Sequence, residues 1–171
     1  MAARRYGDIC EMTDQERAST EELRSQEPVR IVLADDHEVV RGGLQLLLDA
    51  EPDFEVVAQA GDVDGARRHV RGHHPDVLVL DLNMPGEPAL DAIPGLRADE
   101  PATQIVVLTM RDDLEFVREA RRAGALGYVL KDAPGSELVH AIRLAAAGES
   151  YLNRLLASRL VATHTLGRNW D

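Results

Sequence analysis

Five short apolar runs, at 29–34, 54–59, 77–80, 104–108 and 127–130, show no in-out alternation, and this constrains the fold more than any other feature of the chain. Strands that are hydrophobic on both sides must be covered on both sides, which is the condition of a parallel sheet between two layers of helices. The segments between and after them, at about 38–50, 62–72, 87–99, 112–123 and 135–147, read as helices. Val40, Leu44, Leu47 and Leu48 give the first of these one apolar stripe, and Leu138, Ala141, Ile142 and Ala145 do the same for the last. Five β-α units of this length predict an α/β fold, a doubly wound five-stranded parallel sheet of flavodoxin-like order with right-handed crossovers. Gly148 closes the fifth helix, and 153–163 suits a short sixth one. The third helix breaks its own pattern: Pro88 suits a first turn, but Pro94-Gly95 falls inside, so a kink or split is expected near Ile93.

Ligands of such sheets bind at the carboxyl ends of the strands. Four of the runs stop there on a polar residue: Asp35-Asp36, Asp81, Thr109 and Lys131. Of the 19 basic residues, Lys131 is the only lysine, and an ammonium is a compact point charge where a guanidinium is a planar fork. Three carboxylates within ~4 Å of one another would repel by roughly 4 kcal/mol per pair at an effective dielectric near 20. Such a cluster invites a divalent cation, and oxygen ligands with room for water and phosphate suit Mg²⁺. Each residue also has a plainer reading. Asp35 and Asp36 would serve as helix N-caps, Asp81 as a turn former, Thr109 as a strand or cap residue, Tyr128 as packing and Lys131 as a surface ion-pair partner.

At 171 residues the chain suffices for one domain with a substantial core and a little more. Its net charge of -11 argues against general affinity for nucleic acid or anionic membrane. A single cysteine, Cys10, and the lack of a long apolar stretch or signal peptide point to a reducing cytoplasm. Residues 1–27 are expected to be a disordered or weakly helical acidic extension, 28–150 the domain, and 151–171 a C-terminal linker or short helix remnant. His69, His73 and His74 share a helix and its end, but no carboxylate or cysteine completes a metal set with them. Arg111, Arg118, Arg121 and Arg122 form either a solvated face or a partner surface.

Asp35-Asp36, Asp81-Leu82-Asn83-Met84-Pro85, Thr109 and Tyr128-Val129-Leu130-Lys131, in this order and each after a strand, closely resemble the signature of a bacterial response-regulator (CheY-like) receiver domain. Asp36-His37, Lys131-Asp132-Ala133 and Ala147-Gly148-Glu149 resemble its NarL/FixJ-type branch. The resemblance implies that Asp81 is the phosphoacceptor for a sensor histidine kinase in a two-component phosphorelay. It also implies that Asp36, Asp81 and the backbone carbonyl of Asn83 bind Mg²⁺ directly while Asp35 holds a coordinated water. Lys131 and Thr109 would neutralise the phosphoryl oxygens, and Thr109 with Tyr128 would form the switch. Such a chain is not an enzyme beyond its own phosphorylation and dephosphorylation, and the branch is normally linked to transcription regulation. A homodimer through the fourth helix, fifth strand and fifth helix, or through another face, is expected.

Glu87-Pro88-Ala89 departs from the family pattern after the signature, and the 27-residue lead is unusual. The branch normally continues into a helix-turn-helix domain, for which the 19 residues after Leu152 are too few, so no direct DNA binding by this chain is expected. An aspartyl-phosphate phosphatase of the haloacid-dehalogenase type would carry a second acid two positions after its nucleophile, where this chain has Asn83. A dinucleotide-binding protein would carry Gly-x-Gly-x-x-Gly after the first strand, which is missing. An interaction scaffold without phosphorylation is disfavoured by the intact acids and lysine.

Overall fold

The computed structural model describes residues 27–166 together with Gln15. The extension expected at 1–27 lies outside them apart from Gln15 and Glu27. Six strands, β1 (Val29–Ala34), β2 (Phe54–Ala60), β3 (Val77–Asp81), β4 (Gln104–Thr109), β5 (Gly127–Leu130) and β6 (Tyr151–Leu152), form one parallel sheet of order β2-β1-β3-β4-β5-β6. The helices are α1 (Glu38–Asp49), α2 (Val63–His73), α3 (Ala89–Asp99), α4 (Leu114–Ala123), α5 (Gly135–Ala146) and α6 (Arg154–Leu166). The first five strands have the expected flavodoxin-like order. The sixth is an addition to the five expected: two residues after α5 that pair with Gly127 and Tyr128 along the outer edge of β5.

Side chains alternate across a strand, so each strand feeds two cores. On one face Ile31, Leu33, Val77, Val79, Val106, Leu108 and Val129 pack against α1 and α5, whose contributions are Leu48, Leu138, Ile142 and their neighbours. On the other, Val32, Ala34, Leu78, Leu80, Ile105, Val107 and Tyr128 pack against α2, α3 and α4. Ile31, Leu33, Leu78 and Leu80 are fully buried, each contributing ~1.5–3 kcal/mol. This burial on both sides is the reason their runs show no alternation.

The proline in α3 does not split it. The helix runs unbroken from Ala89 to Asp99 with Pro94 inside, because Ile93 and Leu96 on either side of the proline are both buried, as are Ala89 and Ala92. Packing of that face outweighs one lost backbone bond and the local clash, ~3 kcal/mol. Pro88 stands at the N-cap rather than within the first turn, and its carbonyl accepts the amides of Asp91 and Ala92. After β6, Asn153 caps α6 by accepting the Leu156 amide at 2.9 Å, and Leu156 is buried against the α4 side of the core. Arg118 on α4 donates to Thr163 on α6. The edge of β5 and part of α4 are thus covered by the chain's own C-terminal elements.

Candidate functional site

Register brings the acids together. Ala34 on β1 is level with Leu80 on β3, so the next residues, Asp35 and Asp81, emerge side by side at the carboxyl edge. Both are odd-numbered like Leu33 and Val79, and therefore continue the face that packs on α1 and α5. Lys131 continues the same face from Val129. The side chains of Asp35 and Asp81 are each 2% exposed. The Lys131 ammonium lies 2.9 Å from Asp81 Oδ2, to which it donates a hydrogen bond, and 2.9 Å from Asp35 Oδ2. The Asp35 contact is an ion pair at the same distance, so one ammonium is shared by two buried carboxylate oxygens. Burial pushes the Lys131 ammonium toward the neutral form, but the bonds and charges of Asp35 and Asp81 outweigh it, and its pKa lies above the ordinary lysine value.

The remaining carboxylate oxygens are held by backbone. Asp81 Oδ1 accepts the Asn83 amide and Asp35 Oδ1 the His37 amide, each at 2.9 Å. The N-cap of α1 is His37 rather than either aspartate, and its own side chain makes no capping bond. Asp36 is more open, with 31% of its side chain exposed and His37 Nδ1 3.0 Å from its Oδ1. Asp35, Asp36 and His37 each offer a ligand atom to one point, all within 4.8 Å of one another. Asp81 stands outside that triplet and is joined to it through Lys131. The ligand atoms are mainly carboxylate oxygens, and two buried carboxylates share a single ammonium. This set fits a hard divalent cation.

Thr109 and Tyr128 are placed differently from the acids. Thr109 continues the parity of Ile105 and Val107, and Tyr128 packs in the α2–α4 core, so both belong to the opposite face. Thr109 Oγ1 accepts the Arg111 amide at 3.2 Å, and the Tyr128 hydroxyl donates to the Arg111 carbonyl at 2.6 Å. Both side chains hold the loop between β4 and α4. Tyr128 is 2% exposed; burial, with the charge of Asp113 and more weakly Asp112, pushes its phenol up to about 12. The backbone ties the two halves of the site, since the Lys131 amide donates to the Thr109 carbonyl at 2.8 Å.

Two residues escaped the sequence reading. Arg41 on α1 donates from Nη1 to the Asp35 carbonyl at 2.6 Å and from Nε to Gln59 Oε1 at 2.9 Å. The signal for Arg41 was its position on α1 next to the apolar stripe residue Val40; for Gln59 there was none. His69 and His73 stack at 5.7 Å between ring centroids and His74 pairs with Glu100, with no third ligand beside them among the described residues.

The response regulator receiver domain family matches residues 31–143. The chain belongs to this family. It is 45% identical over 134 residues to the oxygen regulatory protein NreC of Staphylococcus haemolyticus, an alignment covering 78% of this chain and 62% of that protein, so the chain spans less than two thirds of this relative's length. Among solved structures it resembles a two-component response regulator of the LuxR family from Aurantimonas, at TM-score 0.77 and 35% identity over 81% of this chain and 99% of that one. It also resembles the signal receiver domain of a NarL-designated response regulator from Mycobacterium tuberculosis, at TM-score 0.69 and 33% identity over 72% and 99% of the two chains. Its relatives are of NarL type. No helix among the described residues is long and apolar enough to cross a membrane.

Proposed function

We propose that this receiver takes a phosphoryl group from a histidine kinase onto Asp81, with Mg²⁺ held by Asp36, Asp81 and the Asn83 carbonyl and with Asp35 acting through a bound water. The observation that carries this reading is the single ammonium set between two buried carboxylates. A structural ion pair needs one acid, whereas an ammonium shared by two leaves excess negative charge in a dry site, which is the arrangement a cation and a phosphoryl group complete. When bound, Mg²⁺ supplies charge neutralisation for the phosphoryl oxygens.

An Asp81 carboxylate oxygen attacks phosphorus of the phosphohistidine. The new O–P bond forms as the N–P bond breaks, and the departing imidazole keeps the electron pair and takes a proton from solvent. Lys131, already 2.9 Å from Asp81 Oδ2, follows the charge onto the phosphoryl group. Thr109, buried at the end of the adjacent strand, gives up the Arg111 amide to reach it. The loop that Tyr128 also holds is then released from one of its anchors, and this is the route from chemistry to a protein-interaction surface.

The kinase approaches from α1. That helix exposes Val39 at 89% and Leu46 at 75%. Beside it, an apolar groove lined by Val40, Leu44, Leu47, Pro134 and Leu138 reaches Lys131. The chain catalyses only its own phosphorylation and dephosphorylation, acts in the cytoplasm, and does not itself bind DNA, its net charge of -11 offering no cationic footprint. Incubation with acetyl phosphate and Mg²⁺ should add one hydroxylamine-labile phosphoryl group, and Asp81→Asn should abolish it. Stoichiometric labelling that persists in the Asn variant would show that another residue is the acceptor.

A further inference from the structure

We propose that Arg41, aimed by Gln59 and by a bulge in β2, is a positioning residue that fixes the backbone of the metal-binding acids; this rests on the reading that those acids bind Mg²⁺. The bulge is visible in the register. Ile31 pairs with Val56 but Val32 pairs with Ala58, so Val57 is an extra residue on β2. Its effect on the side chains is visible in the two cores. Phe54 and Val56 pack on the α1–α5 face, whereas Ala58 and Ala60 pack on the opposite face. In a regular strand all four would share one face and Gln59 would point toward α2. The extra residue reverses the parity and turns Gln59 to the side where α1 lies, a recognised use of bulges beside functional sites.

Gln59 then presents Oε1 to Arg41 Nε at 2.9 Å, and this orients the guanidinium so that Nη1 meets the Asp35 carbonyl at 2.6 Å. The Asp35 amide is held at the same time by the Ala60 carbonyl at 3.0 Å. The peptide groups on both sides of the Asp35 side chain are therefore pinned, one by β2 and one by α1. Asp36 leaves from the second of them. A charged donor on that carbonyl makes a stronger bond than a neutral one, and it fixes where two of the carboxylates project before any ligand arrives. The hydrogen bonds of Arg41 go to Gln59 and to the Asp35 backbone carbonyl, not to a carboxylate of the site. A bare positive charge nearby would repel a cation, so its favourable effect must come from geometry.

The test is Mg²⁺ titration by calorimetry, with acetyl-phosphate labelling as a function of Mg²⁺, in wild type, Arg41→Met, Arg41→Lys, Gln59→Met and the Arg41→Met/Gln59→Met double variant. Loss of an outer contact of this kind typically weakens metal binding ~10- to 100-fold. Arg41→Met is expected to show such a loss and to raise the Mg²⁺ concentration needed for half-maximal labelling while the maximal rate survives. Arg41→Lys keeps the charge but lacks the planar fork whose Nε and Nη1 meet Gln59 and the Asp35 carbonyl at once, and should be impaired in the same way. Gln59→Met, which leaves every charge in place, should show a smaller loss, and the double variant should be no worse than Arg41→Met because the two act in series. Unchanged Mg²⁺ affinity in folded Arg41→Met or Gln59→Met, with only a lower melting temperature, would make the contact purely structural and overturn the proposal. Rescue by Arg41→Lys would replace positioning by charge and overturn it too. If wild type itself takes up no Mg²⁺, the metal reading falls first and this proposal with it.

Discussion

Lys131→Met removes the only cation between two buried acids, and its cost can be worked from the distances. Asp35 Oδ2 and Asp81 Oδ2 are each 2.9 Å from the same nitrogen, so they can be no more than about 5.8 Å apart, where two unit charges repel by ~3 kcal/mol at an effective dielectric of 20. Deleting one partner of a buried pair generally costs ~3–5 kcal/mol, and the two figures agree. In Mg²⁺-free buffer the variant should therefore unfold in urea with a stability lower by about 3 kcal/mol. Mg²⁺ should reverse most of this. A ligand at 100 times its dissociation constant stabilises the folded state by ~2.7 kcal/mol, and the variant should bind the cation more tightly than wild type because no ammonium competes for the oxygens. The deficit should thus shrink as Mg²⁺ is added. A variant as stable as wild type without the metal, or a deficit indifferent to it, would refute the view that the site holds excess negative charge. In wild type the raised lysine pKa has a definite sign: its stabilising contribution is complete below the ordinary lysine range and is lost as pH climbs through the higher folded-state value.

Asp36→Ala should weaken Mg²⁺ binding more than Asp35→Ala, because Asp36 is proposed to touch the metal directly and Asp35 through water; equal or reversed losses in a metal titration would contradict those roles. Tyr128→Phe should remove a late-titrating phenol from an alkaline absorbance titration and cost about 1 kcal/mol for the lost bond to the Arg111 carbonyl. Because the folded phenol stays neutral to about 12 against an unfolded value of 10, wild-type stability from this group is full below pH 10 and falls between pH 10 and 12, a drop the Phe variant should not show. Leu156→Ala should cost ~2–5 kcal/mol if α6 folds as one unit with the receiver; a change confined to faster amide exchange within α6 would mean the helix undocks independently.

The acids, the threonine and the lysine were legible because each ends a run whose lack of alternation already announced a buried parallel strand, and strand ends in such sheets face the ligand. The features that escaped are those in which a local rule was overridden by packing or hidden by uniform composition. Pro94 reads as a break, yet the helix around it is held by Ile93 and Leu96 against the sheet. The bulge at Val57 leaves no trace in Phe-Glu-Val-Val-Ala-Gln-Ala because apolar residues on both sides of it conceal which face each one takes, and the Gln59–Arg41 contact was hidden with it. The split of the site into two faces follows from counting parity along each strand. Asp35, Asp81 and Lys131 look toward α1 and α5, while Thr109 and Tyr128 look toward α4. β6 has two residues, too few for any periodic signal. It nevertheless bears on the output. Together with α6, which reaches α4 through Arg118 and Thr163, it occupies the outer edge of the strand that carries Tyr128. On the α4 side Glu115, Glu119 and Arg122 stay exposed next to α6, and α1 carries Val39 and Leu46 bare. A change at the β4–α4 loop would therefore be felt by α6, which touches that loop through Arg159 and the Asp112 carbonyl and α4 through Thr163 and Arg118.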